Sequence, residues 1–147
     1  MPLLATPDKD RQQIPLLSAL LSERRDIMTD KKATPACWAW PEPDLAEIRK
    51  SATDEYAQRL AMWAWHDGCA ICGRIGLREV EDHDHATGYT RGWLCDQCNV
   101  REGYGWGGVY AMYRECNPAV IFGFSARYVD RVTGLPAEPK PAADPAA

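Results

Sequence analysis

Two Cys-x-x-Cys pairs constrain this chain more than any other feature. Cys69-Ala70-Ile71-Cys72 and Cys95-Asp96-Gln97-Cys98 lie 22 residues apart. Thiolates two residues apart can share one side of a tight turn. Two such knuckles complete a tetrahedral ZnS₄ site with Zn–S distances of about 2.3 Å. Protein then fills all four positions, so the ion is structural and not catalytic. Two redox dithiols, or plain buried thiols, are the alternatives. Cys37 and Cys116 have no partner motif and read as ordinary buried thiols, because free cysteine packs as a small hydrophobe.

Between the knuckles runs Glu81-Asp82-His83-Asp84-His85, with two of the chain's three histidines. Phosphodiester hydrolysis needs a divalent cation for the developing charge, a base for water, and a frame that holds them in line. Carboxylate and amide oxygens suit hard Mg²⁺, and imidazole suits the base. A solvated acidic hairpin is the bland alternative. So is a transition-metal site on His83 and His85, which share a strand face at i, i+2.

The coarse pattern is that of a small α+β protein. Residues 1–43 form an N-terminal arm and linker. Pro15 could open a short helix with Leu17, Leu20 and Leu21 on its apolar face, and Trp38–Pro43 reads as a rigid connector. A domain over 44–116 follows. Leu45, Ile48, Ala52, Tyr56, Leu60 and Trp63 recur at helical spacing, which predicts one or two helices over Asp44–Trp65. Thr53-Asp54 can cap the second, and Gly68 suits its end. An extended run over Ile75–Asp84, a turn at Ala86-Thr87-Gly88, a strand over Tyr89–Leu94 and a helix from about Asp96 make a hairpin followed by a helix. Gly103, Gly105, Gly107 and Gly108 break that helix, and Val109–Cys116 resumes it. Residues 117–134 form an extension without clear period, and 135–147 a disordered Pro/Ala tail. Trp63 and Trp65 read as core. Base stacking is the minority reading for Trp93, Tyr104 and Trp106.

Composition limits the partners. Apolar residues make up 46% of the chain, enough for a modest core. The net charge of −4 and pI near 5.4 have the wrong sign for gripping nucleic acid by charge alone, so a nucleic-acid role must rest on a specific site. Met1–Ala5 lacks the basic start of a secretory signal, and Ile14–Leu21 falls short of the roughly 20 apolar residues that span a bilayer. The expectation is a cytoplasmic protein with reduced thiols and no membrane partner.

Taken together, Cys69-x-x-Cys72, Asp82-His83-Asp84-His85, Thr87-Gly88, Arg91-Gly92 and Cys95-x-x-Cys98-Asn99 closely resemble the recombination endonuclease VII family. These are phage-type Holliday-junction-resolving nucleases of the HNH group. The likeness spans about residues 55–103. It implies a ββα-metal (HNH, or His-Me finger) core stapled by a Zn(Cys)₄ site and flanked by helices. By the same resemblance Asp82 and Asn99 bind a catalytic Mg²⁺, which Mn²⁺ can replace, and His83 is the general base. His85 is a further active-site histidine, and Arg91 is either a phosphate contact or a structural residue of the turn. The implied partner is double-stranded or branched DNA. The family's resolvases dimerise through long helices after the core. Here that region is glycine-rich and short, which leaves a homodimer open. The rival reading is a non-catalytic zinc module that binds DNA or protein.

Because Asn99 directly follows Cys98, a zinc ion would set where the helix presents its amide. On an ideal strand Asp82 and His83 face opposite sides, so joint action on one metal and one water requires a twist or bulge at that point.

Overall fold

The computed structural model describes residues 35–65, 67–105 and 108–140. Most of the N-terminal arm, with the expected Leu17–Leu21 helix, lies outside these residues, as do Trp106 and 141–147. The first helix among the described residues is α1 (Ala36–Ala39), which overlaps the start of the Trp38–Pro43 stretch that reads from sequence as a rigid connector. It docks on the first knuckle, with Ala36 N–H donating to the Ile71 carbonyl at 3.2 Å and Cys37 N–H to that of Ala70 at 3.3 Å.

The expected helical stretch divides into α2 (Leu45–Ser51) and α3 (Glu55–Trp65). Aspartates start both. Asp44 accepts from Glu47 N–H at 3.1 Å and Asp54 from Ala57 N–H at 2.8 Å, satisfying amides that a first turn leaves unpaired. Helix α3 buries Met62, Trp63, Ala64 and Trp65. Trp65 meets Trp40 and Phe122 edge-on, each with ring centroids 5.3 Å apart, and its indole N–H donates to the Pro41 carbonyl. Both tryptophans are core, as their spacing predicts.

A two-stranded antiparallel hairpin follows, β1 (Glu79–His83) and β2 (Thr90–Cys95). Its pairing runs from Glu79↔Cys95 to Asp82↔Gly92, then shifts to His83↔Thr90. One step on β1 thus spans two on β2, and Arg91 is the extra residue. Helix α4 (Asp96–Tyr104) starts at the second knuckle and packs on both strands. The chain continues into α5 (Gly108–Glu115).

Residues 117–134 hold a helix that apolar periodicity does not reveal, α6 (Pro118–Phe122). Its signals are local: the Asn117 side chain accepts from Val120 N–H, Pro118 occupies the first turn, and Gly123 closes it with φ +68°. Gly92 makes room for it, since a Cβ there would stand 2.8 Å from the Pro118 ring.

Beyond α6 the chain returns along the free edge of β2. Thr90 N–H donates to the Ala126 carbonyl at 2.9 Å and Tyr128 N–H to that of Gly88 at 3.0 Å, with Tyr89 and Arg127 in an antiparallel bridge. The segment then doubles back, Ala137 N–H donating to the Tyr128 carbonyl at 2.8 Å and Lys140 N–H to that of His85 at 3.0 Å. The tail expected to be disordered from Leu135 is therefore paired over 135–140. Composition cannot report a backbone edge that needs a partner. No helix among the described residues is long and apolar enough to cross a membrane.

Candidate active site and metal centre

The two knuckles meet. Ligand atoms of Cys69, Cys72, Cys95 and Cys98 all lie within 4.8 Å of one another. The Cys72 and Cys95 sulfurs are 3.9 Å apart, close to the roughly 3.8 Å edge of a ZnS₄ tetrahedron with 2.3 Å bonds. Gly68 shapes the first knuckle with φ +110°, where a Cβ would stand 2.6 Å from the Arg74 carbonyl oxygen. The thiols compete for protons. A hydrogen bond from Cys98 pulls Cys69 down to about 5, and the same contact pushes Cys98 up. A soft divalent cation resolves this crowding by replacing the protons, so the donor set fits zinc. Arg74 Nε donates to the Cys72 sulfur at 3.4 Å, adding positive charge beside the one exposed ligand.

The cluster joins the segment leading into β1 to the start of α4. On α4, Glu102 lies four residues after Cys98 and three after Asn99, so it neighbours each of them along the helix surface. Cys98 and Glu102 are buried and Asn99 is half-buried.

Asp82 lies on β1, 5% exposed, in a charge network of two arginines and two carboxylates. Arg91 grips it with both arms, Nε to Oδ2 at 2.8 Å and Nη2 to Oδ1 at 2.9 Å. The Tyr113 hydroxyl donates to Oδ2 at 2.9 Å. Arg91 Nη2 also donates to Glu102 at 2.8 Å, and Arg114 Nε holds the other Glu102 oxygen at 2.6 Å. Burial raises the Asp82 carboxyl above its ordinary range, although Arg91 and Tyr113 pull the other way. Burial also works against the Arg91 cation, but its carboxylate partners hold it above its ordinary value.

Arg91, a candidate phosphate contact from the motif, is thus committed to Asp82 and Glu102. Asp84 serves the turn instead, its carboxylate accepting from Ala86 N–H at 2.8 Å.

His83 ends β1 beside the register shift, where the sequence reading requires an irregularity. It is half-buried and stacks on Tyr128, ring centroids 4.0 Å apart and planes 5° from parallel. Exposed His85 is 4.7 Å from it, ring to ring. Burial, then the His85 and Arg91 charges, lower the His83 pKa below its ordinary value, which favours the neutral imidazole. Glu81 lies behind on the same strand face, buried and held by Arg59 Nε and the Thr90 hydroxyl, both at 2.6 Å.

The hairpin therefore brings His83 and His85 together. It seats Asp82 in a separate buried network that reaches His83 through the Arg91 charge. Asn99 neighbours Glu102 along α4, one turn nearer the cysteine cluster. Sequence reasoning missed Glu102, Tyr113, Arg114 and Tyr128. Glu102 alone carried a signal, an acidic residue on the helix face that Cys98 turns inward. The other three become neighbours only through tertiary folding.

A family model described as recombination endonuclease VII matches residues 44–120, more than half of the chain. The chain belongs to the recombination endonuclease VII family. No curated protein and no solved structure matches it. The family segment contains both knuckles, the Asp82–His85 cluster, Asn99 and Tyr113. It ends inside α6, so the paired C-terminal segment lies beyond it. Membership supports a nuclease or junction-resolvase kind of activity acting on DNA.

Proposed function

We propose that this recombination endonuclease VII family member is a Mg²⁺-dependent DNA endonuclease whose reaction centres on His83. The observation that supports this reading is a half-buried imidazole at the end of β1, held below its ordinary pKa by burial, inside a family segment in which four cysteines converge. His83 takes a proton from water on a ring nitrogen. The hydroxide attacks the phosphorus in line, leaving 5′-phosphate and 3′-hydroxyl ends. Asp82 and Asn99 supply carboxylate and amide oxygens, donors of the type a hard cation takes. When bound, Mg²⁺ stabilises charge on the phosphate and the leaving oxygen. Exposed His85 contacts phosphate or metal. Branched DNA such as a Holliday junction is the proposed preferred substrate. Resolving it takes two cuts, which a homodimer would supply.

One observation favours a second reading. Both Asp82 oxygens already accept from Arg91, so a cation must share Asp82 with a guanidinium or displace it. A non-catalytic zinc module with Asp82 as a structural ion-pair partner is consistent with that.

Labelled linear duplex and a four-way junction, each with Mg²⁺ or EDTA, separate the readings. Wild type should cut with Mg²⁺ only, and His83→Ala should lose about 10²–10⁴-fold in rate while keeping its zinc and its fold. A folded, zinc-loaded wild type that cuts neither DNA would overturn the reading of a self-sufficient nuclease and favour the binding module or an enzyme that needs a partner.

A further inference from the structure

We propose that Tyr128, from the segment beyond the family match, is a positioning residue that holds the His83 imidazole in its working orientation by face-to-face stacking. The proposal rests on the nuclease reading of His83.

A catalytic histidine usually has its ring fixed by a hydrogen bond from one nitrogen to a carboxylate or carbonyl. Among the described residues His83 makes no such bond. Its χ2 torsion is intrinsically broad, and it sits at a strand end beside a register shift, where the ladder restrains it least. What it has instead is the Tyr128 ring, 4.0 Å away and within 5° of parallel, with His85 tilted against it at 4.7 Å.

Tyr128 is itself held on two sides. Its N–H donates to Gly88 in the hairpin turn, and its carbonyl accepts from Ala137. The flanking Arg127 lies over the Tyr89 ring at 5.3 Å and donates to the Ala137 carbonyl at 3.2 Å. Arg131, three residues on, lies 5.3 Å over Trp93 of β2. The segment is thus built as an added edge to the hairpin, and its ring-bearing residue lands on the candidate base. A face-on stack covers one side of the imidazole and leaves its edge, with the nitrogens, for water.

The test uses the full zinc-loaded chain with Tyr128→Phe and Tyr128→Leu. Phe keeps the ring, and Leu keeps apolar bulk without it. In wild type the His83 ring protons should be shifted upfield in the NMR spectrum by the Tyr128 ring current and show cross-peaks to it. Phe should preserve that shift and Leu should abolish it. Single-turnover cutting at saturating DNA should fall about 10- to 100-fold in Leu, with the apparent DNA affinity unchanged, and return in Phe. If Leu lowers only the unfolding midpoint, leaving His83 resonances and cutting per folded molecule as in wild type, the proposal is overturned. Absence of the ring-current shift in wild type overturns it without any variant. A wild type that cuts no DNA brings down the nuclease reading and the purpose assigned to the stack, whereas the NMR result alone decides the stack.

Discussion

Arg91 carries two carboxylates, Asp82 and Glu102, where little water reaches any of the three. Buried ion pairs gain little over apolar packing, but removing one partner leaves charge that neither solvent nor protein compensates. Arg91→Ala should therefore destabilise the zinc-loaded protein by about 3–5 kcal/mol in urea unfolding. A loss below about 1 kcal/mol would mean that the Asp82 network is not assembled in solution. Cys37 offers a contrasting case. Burial, with Cys116 beside it, pushes its thiol up to about 12, and its S–H donates to the Cys116 carbonyl at 2.8 Å. A raised thiol pKa means less thiolate at any lower pH. At pH 8 only about 10⁻⁴ of Cys37 is ionised, against about a quarter of an ordinary exposed thiol. Iodoacetamide at pH 8 should leave the Cys37 peptide unmodified in the native protein and alkylate it fully after denaturation, as read by mass spectrometry.

At the scale of elements, the hairpin is short and gains its precision from what abuts it. Helix α6 presses Pro118 against Gly92 on β2, and α5 sends Tyr113 to Asp82 through the same gap. The Pro118 ring is rigid, so an added methyl at Gly92 must move α6 or the strand. Gly92→Ala should cost about 1–3 kcal/mol by thermal unfolding. It should also shift the Tyr113 ring resonances. A neutral Gly92→Ala would show that α6 packs more loosely than this. The bulge at Arg91 is the second device of this kind. It re-aims one side chain of β2 across to Asp82, and it falls between the Asp82 and His83 pairs.

For the molecule as a whole, the four cysteines connect parts distant in sequence. They tie the first knuckle, which carries α1 on its back, to the junction of β2 with α4. A sheet of two strands is marginal alone, and the described core is modest. A metal ion bound at the knuckles would thus contribute folding free energy. Stripping the metal with a strong zinc chelator should collapse the far-UV and near-UV circular dichroism together, and stoichiometric Zn²⁺ should restore both. An apo protein with an unchanged spectrum would show that the cluster does not hold the fold.

Some of this architecture is local in origin and therefore readable from the chain. The knuckles need only a two-residue spacing, α2 and α3 an apolar period with an aspartate before each, and the hairpin a run of strand formers around Gly88. The family likeness adds the site residues from contiguous motifs for the same reason. What the chain could not disclose depends on partners remote in sequence. Arg91 stands at a motif position equally suited to phosphate or to the turn. It becomes the Asp82 partner only because a register shift turns it inward and Glu102 and Tyr113 arrive from two helices. Tyr128 lies in a segment without periodicity, 45 residues after His83, and meets it because the open edge of β2 leaves backbone N–H and C=O groups to be paired. Spacing along one chain determines local turns and ligand pairs, whereas burial and strand-edge pairing are properties of the closed structure. Tertiary structure alone decided which charges lost their water and which ring came to rest on His83.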